Sequence, residues 1–383
     1  MLTPLERDLR HARWQTDELF RIVHADSLYD RPIPERHRII FYLGHLEAFD
    51  WNLLARYALD LPSFHATFDH LFAFGIDPPE GQLPGDRPSD WPEAAEVERY
   101  NRRIRDAIDE VLPNVPVEMA HAAVEHRLMH AETLAYILHG LPYDRKTGRA
   151  DPSASALRAP QPRMIEIPSG EAELGLCPGQ GFAWDNEFEA HSVNVPAFAI
   201  GKYKVTNGEY LEFVLEGGPT PFFWVEREGR HYYRGMFAEI PLPLDSPVYV
   251  TRCQAEAYAQ FRGLALPTEA QFHRAVAGTA PSRNVDFGYW DPISVTADDT
   301  TENTPAQMTG NGWEWTRTVF GPFPGFQPRP YYANYSAPFF DGQHYVLKGA
   351  SPRTAACFLR PSFRNWFRPS YPYIYATFRL VEN

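Results

Sequence analysis

The sequence predicts an α+β chain of two domains, a helical one followed by a mixed, loop-rich one. Three observations carry that prediction. Apolar residues recur at helical spacing through roughly the first 145 positions. From Tyr143 to Arg163 the composition turns to Asp, Arg, Gly, Ala and Pro, as a linker does. Beyond it, short apolar runs such as Met164-Ile165-Glu166-Ile167 and Phe198-Ala199-Ile200 alternate with Pro, Gly and Asn. The boundaries read 1–145 for the helical domain, 146–163 for the linker and 164–383 for the second domain. A chain of 383 residues suits two or three domains of roughly 150 residues each.

Four helices are predicted in the first domain. Arg7 to Val23 is amphipathic; Pro34 and Pro62 bracket a second helix whose interior reads Ile39-Ile40-Phe41-Tyr42-Leu43-Gly44-His45-Leu46-Glu47-Ala48-Phe49. Pro92 to Val111 and Val117 to Leu141 complete a bundle, whose core is a common place for a metal held by facing helices. Phe68 to Pro79, followed by a Gly/Pro/Asp-rich stretch to Asp90, reads as a long connection between helices two and three. In the second domain the expected helices are Asn207 to Glu216, Cys253 to Arg262 and Thr268 to Ala275. Thr206 and Thr268 are suited to cap them, and Gln271 completes a capping box with Thr268.

Composition excludes several classes of function. The net charge of −13 and the absence of a basic stripe argue against nucleic acid or an anionic membrane surface as partner. The opening Met1-Leu2-Thr3-Pro4-Leu5-Glu6-Arg7 lacks the apolar core of a signal peptide, no run of 18 apolar residues occurs, and a cytoplasmic location is expected. Cys177, Cys253 and Cys357 are odd in number and far apart, which suits neither a disulfide framework nor a zinc knuckle.

The stretch Glu125-His126-Arg127-Leu128-Met129-His130-Ala131-Glu132 lies in the fourth predicted helix, so His126 and His130 fall at i and i+4 on one face. Two imidazoles on successive turns can reach one divalent ion, and Glu132 is available to hold a ring nitrogen. Helical histidines are more often packed polar groups, so the pair needs a third ligand. His45 supplies a candidate from the most apolar part of helix two, beside Gly44, where a neighbour can approach closely.

Several segments of the second domain resemble a known family. Leu266-Pro267-Thr268-Glu269-Ala270-Gln271-Phe272, Gly310-Asn311-Gly312-Trp313-Glu314-Trp315-Thr316, Lys348-Gly349-Ala350-Ser351 and Phe378-Arg379-Leu380 resemble the formylglycine-generating-enzyme-like domain, a C-type-lectin-like fold. Phe182-Ala183-Trp184-Asp185-Asn186-Glu187 and Val205-Thr206-Asn207-Gly208-Glu209-Tyr210 fit it too. Preceded by a DinB-like bundle with His45 and the His-x-x-x-His-x-Glu run, the whole chain resembles the non-haem iron sulfoxide synthases of ergothioneine biosynthesis.

That resemblance implies Fe(II) held by His45, His126 and His130 at a site between the bundle and the lectin-like domain, with O2 as co-substrate. The implied reaction joins a thiol to the imidazole C2 of hercynine and oxidises the product to a sulfoxide. Hercynine and a thiol are thus the implied partners, in a monomer or small homo-oligomer. Asn365 and Trp366, within Ser362-Phe363-Arg364-Asn365-Trp366, resemble the residues that contact the hercynine carboxylate and trimethylammonium. Tyr331, Tyr332 and Tyr335 are the candidate proton donors.

Departures from the family pattern bear on the thiol. Phe367 and Tyr371 stand where the mycobacterial type has an Asp and an Arg that grip γ-glutamylcysteine, and Met129 where it has a Gln that reaches the substrate imidazole. The pattern looks more like the branch that uses free cysteine. A selenoneine synthase, a histidine–cysteine sulfoxide synthase and an inactive thiol- or betaine-binding homologue remain the alternatives. The paired cysteines of formylglycine-generating enzymes have no counterpart in Cys253 and Cys357. Asp185, Asn186, Glu187 and Asp245 are candidate oxygen ligands for a structural calcium ion, though no compact loop of alternating acids gathers them.

Overall fold

A computed structural model of the chain describes residues 3–76, 83–150, 158–299 and 301–382. The chain divides into two compact units, Met1–Arg149 and Ala150–Asn383.

In the first unit, Thr3 and Glu6 form a reciprocal capping box that starts α1 (Pro4–Ile22), and Leu9, Ala12, Thr16 and Leu19 make its buried stripe. α2 (Ile39–Asp50) is buried nearly all round and runs on into a widened π-helical segment, Trp51–Tyr57. α3 (Ala66–Phe74) follows, then α4 (Ala94–Val111) and α5 (Val117–His139). α1 packs on α5, and α3 and α4 pack on α2, which leaves α2 and α5 as the inner pair. Buried charge fixes their register. Arg127 of α5 bonds Glu47 at 2.8 Å and Asp50 at 2.6 Å, both on α2, while Arg105 of α4 joins Glu47 to Asp17 of α1.

Two expectations change here. The predicted connection after helix two contains α3. Its Asp69 accepts from the Ser63 and Tyr100 hydroxyls at 2.5 and 2.7 Å, the His65 ring accepts from the N–H of Phe68 at its start, and Gly75 at φ 76° ends it. The caps are local, but Tyr100 comes from α4, and a nine-residue helix buried on so few positions leaves little periodicity to mark it. The start of the predicted linker also belongs to the bundle: Lys146 is buried, its Nζ donates to the carbonyls of Leu138 and His139, and it pairs with Val23. The Asp77-Pro78-Pro79 end of the predicted connection and linker positions 151–157 lie outside the described residues.

The second unit comprises β1 (Met164–Ile167), β2 (Gly170–Leu174), β3 (His191–Val195), β4 (Phe198–Gly201), α6 (Asn207–Leu215), β5 (Trp224–Arg227), β6 (Arg230–Arg234), β7 (Glu239–Pro241), α7 (Arg252–Phe261), α8 (Glu269–Val276), β8 (Gly312–Val319), β9 (Tyr345–Ala350), β10 (Asn365–Phe367), β11 (Ala376–Thr377) and β12 (Val381–Glu382). The strands form small sheets in the orders β1-β4-β12, β2-β3, β5-β6-β7 and β10-β9-β8-β11. β8 pairs antiparallel with β9 (Trp315 opposite Leu347) and parallel with β11 (Trp313 opposite Ala376). Ile165, Phe198, Ile200, Phe272, Met308 and Val381 meet in a core cluster of the β1, β4, β12 and α8 region. Capping boxes of Thr206 with Glu209, Thr251 with Gln254 and Thr268 with Gln271 start the three helices. Among the described residues no helix is long and apolar enough to cross a membrane.

The family motifs build this scaffold. Glu314 is buried in β8 and bonded to Lys204 at 2.6 Å and to Arg379 at 3.0 Å, so the Trp-Glu-Trp and Phe-Arg-Leu motifs are two sides of one ion cluster. Trp315 donates from its indole to the carbonyl of Val250, and Asn311 at φ 59° accepts from the N–H of Ile293 and donates to its carbonyl. Glu269 at the head of α8 accepts from Arg364 at 3.0 Å, which anchors the chain just before β10. The mixed helix and sheet content and the helical first unit match the α+β fold class read from the sequence.

Candidate metal centre

α2 and α5 carry the ligands. Helical spacing puts His126 and His130 on successive turns of α5, with ring centroids 4.5 Å apart. The packing of α2 on α5 brings His45 to them, at centroid distances of 5.2 Å from His126 and 4.7 Å from His130. One nitrogen from each ring lies within 4.8 Å of the others, and this is the one such group of three found among the described residues. Nε2 of His45 is 3.2 Å from Nε2 of His130. Two imidazole nitrogens about 2.1 Å from one ion, at an angle of about 100°, are separated by about that distance.

Burial sets the protonation state. The pKa of His45 is lowered to about 4, chiefly by desolvation, against the opposing pull of the Phe72 carbonyl. Desolvation also carries His126 and His130 well below the usual range, helped by the neighbouring rings of the triad. All three imidazoles are therefore neutral near pH 7, the form in which a lone pair can enter a metal's coordination sphere. Phe49 stacks on His126 at 3.4 Å and 9°, and Phe41 on His45 at 4.8 Å and 26°. His126 is buried, and His45 and His130 are mostly so. Three neutral nitrogen donors fit a divalent transition metal and leave it with free coordination positions.

The ring of His45 is held from behind. Its Nδ1 lies 2.7 Å from the carbonyl oxygen of Phe72, an acceptor, so Nδ1 carries the hydrogen and Nε2 the lone pair. Sequence reasoning noted Gly44 as a place of close approach and missed that Phe72 makes the approach. Glu132 does not play the corresponding part for His130, whose Nδ1 has no hydrogen-bond partner among the described residues. Met129 and Glu132 are half-buried on α5 beside His130.

The other candidate residues lie in the second unit. Tyr332, Tyr335 and Trp366 share an aromatic cluster: Tyr335 stacks on Trp184 at 4.2 Å and meets the edge of Trp366 at 5.3 Å, Tyr332 is 5.6 Å from Tyr335, and Trp366 stacks on Phe320 at 4.3 Å and 6°. Tyr335 is buried; Tyr331 and Tyr332 are half-buried, and burial raises the pKa of Tyr332. The Asn365 side-chain oxygen accepts from the N–H of Trp366 at 2.9 Å, and Phe367 stacks on Tyr371 at 5.3 Å. The acids proposed for calcium do not gather. Glu187 is taken up by Arg360 at 2.6 and 2.8 Å and by Ser362 at 2.6 Å, Asp185 accepts from Ser336, and neither these nor Asp245 belongs to a metal-binding group among the described residues. Cys177, Cys253 and Cys357 are exposed and take part in no disulfide among the described residues.

Comparison with known proteins places the chain. The family model for the sulfatase-modifying factor enzyme 1-like domain matches residues 149–304 and 305–383, more than half of the chain. The hercynine oxygenase of Mycolicibacterium thermoresistibile is 33% identical over 337 residues, covering 75% of this chain and 74% of its own. The hercynine oxygenase of Mycobacterium tuberculosis is 37% identical over 235 residues, covering 51% of this chain and 55% of its own. Ergothioneine biosynthesis protein 1 of Schizosaccharomyces pombe is 27% identical over 424 residues, which cover 95% of this chain and 54% of that one. The chain thus spans about half the length of these last two relatives. On the first two of these likenesses the chain belongs to the hercynine oxygenase family, the sulfoxide synthases of ergothioneine biosynthesis, and carries that family's sulfatase-modifying-factor domain.

Proposed function

We propose that this chain is an Fe(II)- and O2-dependent sulfoxide synthase that joins a thiol to the imidazole C2 of hercynine. The observation that carries the reading is the meeting of three neutral, desolvated imidazoles, His45, His126 and His130, at one point. The Mycobacterium tuberculosis and Mycolicibacterium thermoresistibile relatives bear the name hercynine oxygenase. The reaction balances with O2 as the sole oxidant: the thiol S–H and the imidazole C2–H bonds break, the C–S and S–O bonds form, and the second oxygen leaves as water with both hydrogens. Iron on this donor set would supply thiolate coordination and O2 activation, which redox-silent zinc cannot.

The chain's own residues divide the remaining work. The Phe41 and Phe49 rings cover faces of His45 and His126 and keep water from them. Asn365 and Trp366 are assigned to hercynine, the indole face meeting the trimethylammonium. Tyr331, Tyr332 and Tyr335 remain the proton-donor candidates; burial raises the pKa of Tyr332, so it holds its proton at neutral pH, as a donor must. Free cysteine is the assigned sulfur source, because Phe367 and Tyr371 offer no charge to a γ-glutamyl carboxylate. The test is O2 uptake by the Fe(II)-loaded protein with hercynine plus cysteine, γ-glutamylcysteine or a selenosugar, each alone. Uptake with cysteine, and one sulfoxide formed per O2, is expected; no uptake with any donor overturns the proposal.

A further inference from the structure

The carbonyl that holds His45 belongs to the last turn of a helix. α3 ends at Phe74, ahead of the residue whose N–H would otherwise close on the Phe72 carbonyl, and the N–H of Gly75 caps Leu71 instead at 2.7 Å. The Phe72 oxygen is thus a helix C-terminal acceptor at the negative end of the α3 dipole, turned onto Nδ1 of His45 at 2.7 Å. Such an acceptor fixes which nitrogen carries the proton, and it makes the opposite nitrogen a stronger donor to a metal.

The seat of α3 is narrow. A Cβ built on Gly44 would lie 2.5 Å from Cγ and Cδ1 of Phe72, whose side chain is fully buried. Residue 44 can therefore carry no side chain while α3 stays where it is. Two further contacts hold the helix down: Tyr100 of α4 donates to Asp69 at 2.7 Å, and the Asn52 amide, in the π-helical segment, donates to the Asp69 carbonyl at 3.1 Å. His45 directly follows Gly44, so the contact that admits α3 and the ligand that α3 orients are consecutive in sequence.

We infer that α3 is the positioning element of the metal centre: seated on Gly44, it aims the Phe72 carbonyl at His45 and so points Nε2 of that ring at the ion. The inference rests on the metal-binding reading of the triad and adds to it a device outside the ligand set. Gly44→Ala separates this role from general stability, because alanine favours a helix more than glycine does. A loss of metal affinity in that variant runs against the local effect of the substitution.

The experiment uses the full chain. Fe(II) affinity is measured by competition with a chelator, and the ligand field by the visible spectrum of the Co(II)-substituted protein, for the native chain, Gly44→Ala, and Gly44→Ala combined with Phe72→Ala. Gly44→Ala is expected to weaken Fe(II) binding by roughly tenfold to a hundredfold and to shift the Co(II) bands. Phe72→Ala in that background removes the Cγ and Cδ1 that the new methyl strikes, keeps the carbonyl, and should recover most of both. Native affinity and spectrum in Gly44→Ala, or a loss that Phe72→Ala does not repair, overturns the inference. If the native chain itself takes up neither ion, the metal-binding reading fails instead.

Discussion

Nε2 of His45 and Nε2 of His130 face each other at 3.2 Å across the inner helix pair. The Phe72 carbonyl keeps the hydrogen of His45 on Nδ1, so its Nε2 can only accept. His130 therefore donates to it in the metal-free protein, and an ion that takes both lone pairs replaces that hydrogen bond. His130→Ala removes one of three donors, and a weakening of Fe(II) binding by roughly tenfold or more is expected with the helical circular dichroism retained. Chelator competition checks it, and undiminished iron retention would count against the triad.

Arg127 is fully buried and neutralises Glu47 and Asp50 together. Burial works against the charge on Glu47, yet Arg127 and Arg105 overcome it and hold its pKa down to about 2; burial wins at Asp50, whose pKa is raised. Arg127→Met leaves Asp50 without a cation and Glu47 with Arg105 alone, and should cost roughly 3–5 kcal/mol in urea unfolding. Asp50→Asn should cost clearly less than Glu47→Gln, since the bundle favours the neutral form at residue 50. The reverse order would mean that the charge is distributed otherwise.

His273 gives the second unit an acid sensitivity. Its pKa is lowered to about 3, first by desolvation and then by Lys348, while its Nδ1 bonds the Glu173 carbonyl at 2.8 Å. Between its ordinary value near 6.5 and about 3 the unfolded chain binds a proton that the folded chain refuses, so stability falls as pH falls through that window. His273→Gln should flatten the pH dependence of unfolding between pH 6.5 and pH 4. An unchanged slope would show that the ring titrates freely in the fold.

Trp366 offers a test of substrate assignment. Its ring stacks on Phe320 at 4.3 Å, so packing alone could account for it. If it also binds the trimethylammonium, Trp366→Leu raises the hercynine KM by about tenfold while iron affinity and the KM for the thiol hold. A fall in thermal stability with the hercynine KM unchanged would assign the residue to the core.

The sequence alone determined whatever depends on short spacing. His126 and His130 share a face because an α-helix repeats every 3.6 residues, and Thr206 and Thr268 start helices because their hydroxyls reach the N–H three residues on. The Trp-Glu-Trp and Phe-Arg-Leu motifs likewise marked the second unit, since buried charge tolerates few substitutes for the pairing of Glu314 with Arg379.

Only the tertiary structure decided what backs the triad. α3 was hidden because its strongest supports, Tyr100 on Asp69 and Gly44 under Phe72, come from elsewhere in the chain. Glu132 looked like the residue to hold His130 because it stands two positions away, but side chains two apart on a helix point apart. The group that holds His45 is a backbone carbonyl, which every residue possesses and no sequence pattern singles out; its direction is fixed only when two helices pack.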